Sequence, residues 1–200
     1  MLVPDGASPV LRNPVPATDA AAERLLLARG YAFVRVFWAM ERTVEGGVEP
    51  PDEVAGLTIR AYRHASDADA YYDALEEAFA DHWGYEPFPR DVHMRDMERW
   101  DPELALVALD GRDVVGGLLS RLVEGTGWVD VLAVRRPWRG RGIGRSLLLR
   151  SFVTFAARGA GSVMLNVDSA NETGATRLYE SAGMTVRRVW HLFERPLDVS

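Results

Sequence analysis

The segment VLAVRRPWRGRGIGRSLLLR (131–150) limits what this chain can fold into more than any other. An apolar run, Val131–Val134, leads through Arg139-Gly140-Arg141-Gly142-Ile143-Gly144 into a helical pattern. A helix N-terminus leaves its first backbone N–H groups unpaired and partly positive. Glycines let that backbone approach a ligand, because no Cβ intervenes. The product is a cradle for phosphate. Arg135, Arg136, Arg139, Arg141 and Arg145 crowd around it, in a chain of net charge −6 and pI about 5.3. Basic charge gathered at one turn of an acidic chain points to a compact polyphosphate, not to a long nucleic acid. Spacing excludes two other phosphate loops. GxxxxGK[ST] does not occur, and a dinucleotide fingerprint needs GxGxxG after the first strand of a βαβ unit, whereas this GxGxG follows a late strand.

With 200 residues, 48% of them hydrophobic and 26% charged, the chain suits one ordinary domain plus an appendage and is not of disordered composition. It has no cysteine, which rules out disulfides, thiolate metal sites and a cysteine nucleophile. The four histidines have no metal-ligand spacing, and neither HExxH nor GxSxG occurs. No apolar run reaches the roughly 20 residues of a membrane helix. The start, MLVPDGASPVLRNP, lacks a secretory pattern. The expectations are no metal, no covalent enzyme intermediate, no nucleic-acid or membrane partner, and a cytoplasmic setting.

Residues 1–16, with Pro4, Pro9, Pro14 and Pro16, read as an irregular arm. Residues 18–44 read as a helix capped by Thr18 and ended by Gly30, then a strand. GGVEPPDEVAG (46–56) is a linker, and 57–197 has the length of one domain. In that zone the periodicities predict the order β-α-α-β-β-β-α-β-α-β. Ser66 is the expected cap of the first long helix, and Asp110-Gly111 the turn of a hairpin. Helices inserted between strands imply an α/β (α+β) fold, with a mixed sheet covered on both faces.

Sliding residues 13–42 onto 166–195, an offset of 153, gives ten identities in thirty: Asn13, Ala17, Ala22, Arg24, Leu25, Gly30, Arg35, Val36, Glu41 and Arg42 all recur. Random pairing would give roughly two. Residues 1–48 therefore read as the remnant, a last helix and strand, of an earlier copy of the same domain. Leu26 stands where Tyr179 stands in the second copy, and no glycine turn precedes it, so the remnant's expected role is packing. Its apolar strand FVRVFWAM is free to join a sheet or a partner subunit, which admits a homodimer.

The string AVRRPWRGRGIG resembles the acetyl-CoA binding motif of the GNAT N-acetyltransferases, whose Arg/Gln-x-x-Gly-x-Gly/Ala pattern falls on Arg139, Gly142 and Gly144. NVDSANETGATRLYESAGM (166–184) resembles a second segment of that family, and with DHWGYEPF (81–88) it resembles the tandem, mycothiol synthase-like branch. The resemblance spans about 57–197. It implies the GNAT fold, a mixed and mostly antiparallel central sheet with helices on both faces, and acetyl-CoA as co-substrate. It implies that the turn Arg139, Gly140, Arg141, Gly142, Ile143, Gly144 and Arg145 holds the pyrophosphate. It implies that Leu132, Ala133 and Val134 run beside the pantetheine arm, and it carries over Asn171 and Tyr179. That tandem branch has two whole copies, whereas this chain has one copy and a remnant.

Acetyl transfer to an amine needs a neutral amine and a protonated leaving thiolate. By the resemblance, Tyr179 is the general acid. For the base, Asp130 precedes Leu132 and Val134 with matching strand parity, so all three are expected on one side; Glu124 and Glu86 are the alternatives. The N–H of Val134 is expected to polarise the thioester carbonyl. The resemblance makes the loop with Trp83, Tyr85, Glu86 and Phe88 a wall of the acceptor pocket, a composition suited to a small cationic molecule. The expected activity is direct acetyl transfer from acetyl-CoA to a small primary amine. The competing readings are a non-catalytic acetyl-CoA sensor and a protein lysine or N-terminal acetyltransferase.

Overall fold

In a computed structural model of the protein, which describes residues 9–98 and 100–197, eight strands form one sheet in the order β1-β8-β2-β7-β6-β5-β4-β3. The strands are β1 Val10–Pro16, β2 Ala32–Thr43, β3 Thr58–Ala61, β4 Ala105–Asp110, β5 Asp113–Val123, β6 Thr126–Val134, β7 Ser162–Asp168 and β8 Thr185–Pro196. The helices are α1 Ala20–Ala28, α2 His64–Phe79, α3 Arg90–Glu98, α4 Ile143–Ala157 and α5 Ala175–Ser181. From β3 onward the element order is the expected one. The pairs β1·β8, β3·β4, β4·β5 and β5·β6 are antiparallel and β6·β7 is parallel, so the sheet is mixed and mostly antiparallel. No described helix is long and apolar enough to cross a membrane.

Two compact units share these elements. One comprises the described residues of Met1–Met40 with Asn166–Thr176 and Val186–Ser200; the other comprises Glu41–Leu165 and Arg177–Thr185. In the larger unit, helices pack on both sides of β5 and β6. Tyr71 of α2 lies over Gly117, where a Cβ would come within 2.2 Å of its ring. Phe155 of α4 lies over Gly127, where a Cβ would come within 2.6 Å. Each glycine clears the seat of one buried aromatic, one per face. Tyr71, Ala74, Leu75 and Ala78 repeat at helical spacing and pack with Leu119, Val131 and Ala133.

The start of α2 departs from expectation. Ser66 lies inside the helix, and Asp67 organises its first turn. The Asp67 carboxylate accepts from Arg60 Nη1 (2.6 Å) and Nη2 (2.8 Å), from the Arg63 N–H (2.8 Å) and from Ser66 Oγ (2.9 Å). Burial alone would raise the Asp67 carboxyl, but these partners outweigh it and hold it below the usual carboxylate range.

In the smaller unit the expected irregular arm is corrected over residues 10–16, while residues 1–8 of it lie outside the described residues. Residues 10–16 are a strand paired with Trp190–Pro196, despite the prolines. Ala17 N–H donates to Val189 O (3.0 Å) and Leu197 N–H to Pro9 O (2.9 Å), so odd-numbered residues hydrogen-bond toward β8. Pro14 and Pro16 fall between them and forfeit no ladder bond, the position in which an edge strand tolerates proline. Asp19, not Thr18, caps α1 by accepting from Ala22 N–H (2.9 Å).

The sequence repeat has a counterpart in the elements. β2 and β8 have the same length and begin 153 residues apart, and α1 and α5 end 153 residues apart. Arg42 and Arg195, one of the repeated pairs, act reciprocally. Arg42 of β2 donates to Ala182 O at the end of α5 (2.6 Å), and Arg195 of β8 donates to Arg29 O at the end of α1 (3.1 Å).

Candidate functional site

The glycine turn forms an uncapped helix start. Gly140 (φ 76°) and Gly142 (φ 81°) both lie in the left-handed region, and a Cβ on either would meet nothing within 4 Å. Gly142 is the N-cap of α4 and offers no side-chain acceptor. Among the described residues, no N–H from Gly140 through Arg145 has an acceptor; the first helical bond is Ser146 N–H to Gly142 O (3.0 Å). Gly144 serves a different end. Its Cβ would sit 2.9 Å from Leu178 Cδ1, so its absence lets α5 rest on the first turn of α4.

β6 leads into this turn. Its parallel pairing with β7 runs from Thr126↔Ser162 to Val129↔Leu165, while β6 continues to Val134 paired with β5. Arg135 N–H donates to Val115 O (2.9 Å), and in this register Ala133 bonds toward β5. The backbone groups of Leu132 and Val134 therefore face the other edge. Val134 O accepts from Arg139 Nε (3.0 Å), leaving the Val134 N–H and both groups of Leu132 on that edge.

The arginines divide into two sets. Arg135 is paired with Glu77 (2.6 Å) and Arg136 with Asp81, both acids belonging to α2 or its end. Arg139 also donates to Ala78 O (3.0 Å), tying the turn to α2. These three brace the loop. Arg141 comes only within 3.8 Å of Asp110, and Arg145 makes no ion pair among the described residues, so the charge open to a phosphate belongs to these two.

Tyr179 is 8% exposed, and among the described residues its hydroxyl has no hydrogen-bond partner. Burial pushes the phenol up to about 12, so it stays protonated at neutral pH. The end of α5 that carries it is fixed by Arg42, whose guanidinium also lies 5.1 Å from the Phe152 ring centroid.

The expected parity of Asp130 with Leu132 and Val134 is not met. The β5–β6 register shifts between Leu119, opposite Val131, and Ser120, opposite Val129, which makes Asp130 the extra residue of a bulge. Val131 and Ala133 turn to the α2 face, whereas Val134 Cγ2 lies 3.7 Å from the Cβ position of Gly144 on α4. Asp130 is gripped by Arg121 of β5, whose Nε donates to both carboxylate oxygens (3.1 and 3.0 Å). Arg121 alternates with Leu119, so this pair lies on the α2 side. Burial raises the Asp130 carboxyl above the ordinary range, and Arg121 acts against that rise.

In the loop after α2, Tyr85 donates its hydroxyl to Glu76, which also accepts from Phe88 N–H (3.4 Å), and Tyr72 donates to Phe88 O (2.6 Å). The Tyr85 hydroxyl thus latches the loop to α2. Trp83 (38% exposed) and Glu86 face solvent. Glu124, at φ 49°, is in the β5–β6 turn. In the smaller unit, Asn171 Oδ1 accepts from Thr173 N–H (2.9 Å) and Oγ1 (2.5 Å), shaping the approach to α5. No cluster of three or more metal-ligating side chains occurs among the described residues.

The profile of the acetyltransferase (GNAT) family matches residues 68–184, more than half of the chain. The chain belongs to the GNAT family. It is 34% identical over 178 residues to a mycothiol acetyltransferase of Thermobispora bispora, covering 82% of this chain and 59% of that relative. A mycothiol acetyltransferase of Thermomonospora curvata is 36% identical over 186 residues, covering 88% and 61%. The chain thus spans about three fifths of the length of these relatives. A GCN5-related N-acetyltransferase from Sphaerobacter thermophilus superposes with TM-score 0.85 at 35% identity, over 96% of this chain and 61% of that one. A tandem GNAT protein from the clavulanic acid biosynthesis pathway shares the fold alone, with TM-score 0.69 and 14% identity over 96% and 65%.

On this GNAT domain, sequence reasoning passed over Glu76, Glu77, Asp81 and Arg121 and gave Arg42 no role. The partners of Arg42, Arg121 and Glu77 lie 140, 9 and 58 residues away, so no local motif marks them. The repeat did flag Arg42, as the match of Arg195.

Proposed function

We propose that this domain moves an acetyl group from acetyl-CoA to the primary amine of a small molecule. The observation that carries the reading is the run of unpaired amides from Gly140 to Arg145, with open space over Gly140 and Gly142. A diphosphate satisfies such donors, and Arg141 and Arg145 supply countercharge. The free edge at Leu132 and Val134 suits an extended amide-bearing arm, which pairs as a strand does. The residues present therefore fit acetyl-CoA, the co-substrate of the family.

The chain's own groups account for the protons. An acceptor arriving as ammonium gives a proton to Asp130, its nitrogen bonds to the acetyl carbon, and the carbon–sulfur bond breaks. The departing sulfur takes the phenolic proton of Tyr179, the extra proton of the amide nitrogen returns to that phenolate, and Asp130 releases the proton it took to solvent, which restores both groups. Asp130 lies on the α2 side of β6, so in this reading the amine approaches from that side toward a thioester held at the free backbone edge of Leu132 and Val134. Trp83 and Glu86 remain as acceptor-facing groups, while Tyr85 acts through the loop it latches.

The N-terminal zone is read as the closing helix and strand of an earlier copy. The reciprocal capping by Arg42 and Arg195 supports this reading.

The test is coenzyme A thiol release from acetyl-CoA across a panel of primary amines, with binding measured by calorimetry. The relatives' name, mycothiol acetyltransferase, puts a mycothiol-related amine in the panel. Turnover with a small amine is expected. Tight binding with no turnover on any amine would replace the enzyme with a sensor, and activity confined to proteins would replace the acceptor class.

A further inference from the structure

We infer that Arg121 is the positioning residue of the proposed base: it holds the Asp130 carboxylate ionised and aimed, at the bulge, toward the α2 side where the amine arrives. The inference rests on the acetyltransferase reading and on Asp130 as base.

The geometry is specific. A regular β6 would have sent Asp130 to the α4 face with Leu132 and Val134. The bulge turns it over, and Arg121, one residue beyond the register shift on β5, meets it there. A single Nε–H is shared between the two carboxylate oxygens at 3.1 and 3.0 Å, which fixes the carboxylate's direction. The carboxylate is the better buried partner, with its side chain 27% exposed against 58% for Arg121.

The electrostatic surroundings are sparse. From β5 the facing charge is Arg121. On β6 the neighbours Val129 and Val131 are apolar. Among the described residues, neither α2 nor α4, the helices packed on β6, adds a second charged group that acts on Asp130. A carboxyl in this position has burial pushing toward the protonated form and one cation opposing it. Removing the cation leaves burial unopposed. A base that is already protonated cannot accept the ammonium proton, so the acid limb of turnover must move to higher pH.

The experiment follows the Asp130 carboxyl by carbon NMR in aspartate-labelled protein, assigned with Asp130→Asn. It needs no acceptor, so it is independent of whether an amine substrate is found. In Arg121→Gln the titration midpoint of Asp130 should rise by about half a pH unit, the effect of losing an ion pair whose cation is largely exposed. Arg121→Lys should return most of that rise. With the best amine of the panel, the acid limb of kcat/KM should move by the same amount in Arg121→Gln, while the affinity for acetyl-CoA is unchanged. An unmoved midpoint in Arg121→Gln overturns the inference and leaves the acetyltransferase reading intact. Full turnover in Asp130→Asn overturns it too, by removing the base. Loss of all thiol release in the unsubstituted protein would instead strike the proposed function, with the NMR titration still deciding the pair.

Discussion

Tyr179 joins near-complete burial to a hydroxyl that no described group engages. Replacing it with Phe therefore breaks no hydrogen bond in the free protein, and any loss belongs to the reaction. Tyr179→Phe should lower kcat on the order of 10²-fold or more, the usual range for a general acid, with acetyl-CoA affinity kept in calorimetry. Gly142→Ala should behave in the opposite way. A Cβ at φ 81° meets no neighbour but strains the backbone by about 1–2 kcal/mol, so the turn relaxes and acetyl-CoA binds more weakly. A titration that shows unchanged affinity would argue that the Gly142 conformation is not what holds the pyrophosphate. At this scale a motif says which residue types are present but not what each does. Gly140, Gly142 and Gly144 look alike in a string, yet two open onto free space and the third makes room for Leu178. Arg135, Arg139 and Arg145 look alike too. One pairs with Glu77, one is spent on two carbonyls, and one has no ion pair among the described residues.

Elements were legible wherever periodicity was strong. The strand order after β3, the Asp110-Gly111 hairpin and the apolar stripe of α2 follow from alternation and helical spacing, which local chain geometry enforces. Besides the caps of α1 and α2, two local features escaped. A bulge inserts one residue without changing composition, so the Asp130 parity argument used a period that the strand breaks at that point. In β1, prolines are a turn signal unless the partner strand shows on which side their nitrogens lie. The seating of helices on the sheet makes a prediction of its own. Gly117→Ala places a Cβ 2.2 Å from the ring of fully buried Tyr71. Overpacking of that kind costs about 1–3 kcal/mol, read as a lower urea midpoint at unchanged slope. An Ala variant as stable as the parent would mean that α2 can lift from β5.

For the whole molecule, the buried phenols set an alkaline limit. The Tyr179 phenol is raised from 10 to about 12 and Tyr62 is likewise raised to about 12, while the fully buried Tyr71 is raised further. Above pH 10 the unfolded chain gives up these protons while the folded protein keeps them. The native state then binds more protons, and stability falls as pH rises. The contribution is fully present below pH 10 and is lost toward pH 12, on the order of 3 kcal/mol for Tyr179 alone. Urea melts between pH 9 and 12 should show this decline, and Tyr179→Phe should flatten part of it. A stability flat to pH 12 would mean that the phenols reach water.

The sequence by itself determined the family, the element order from β3 onward and the glycine-rich start of α4, because these depend on residues adjacent in the chain or at fixed spacing. Only the tertiary structure decided which cations are already neutralised, which face Asp130 takes, and that Arg42 and Arg195 reach the carbonyls at the ends of α5 and α1. Those outcomes depend on charges and carbonyls tens of residues apart being brought within 3 Å or so, a distance that folding creates and no local pattern encodes.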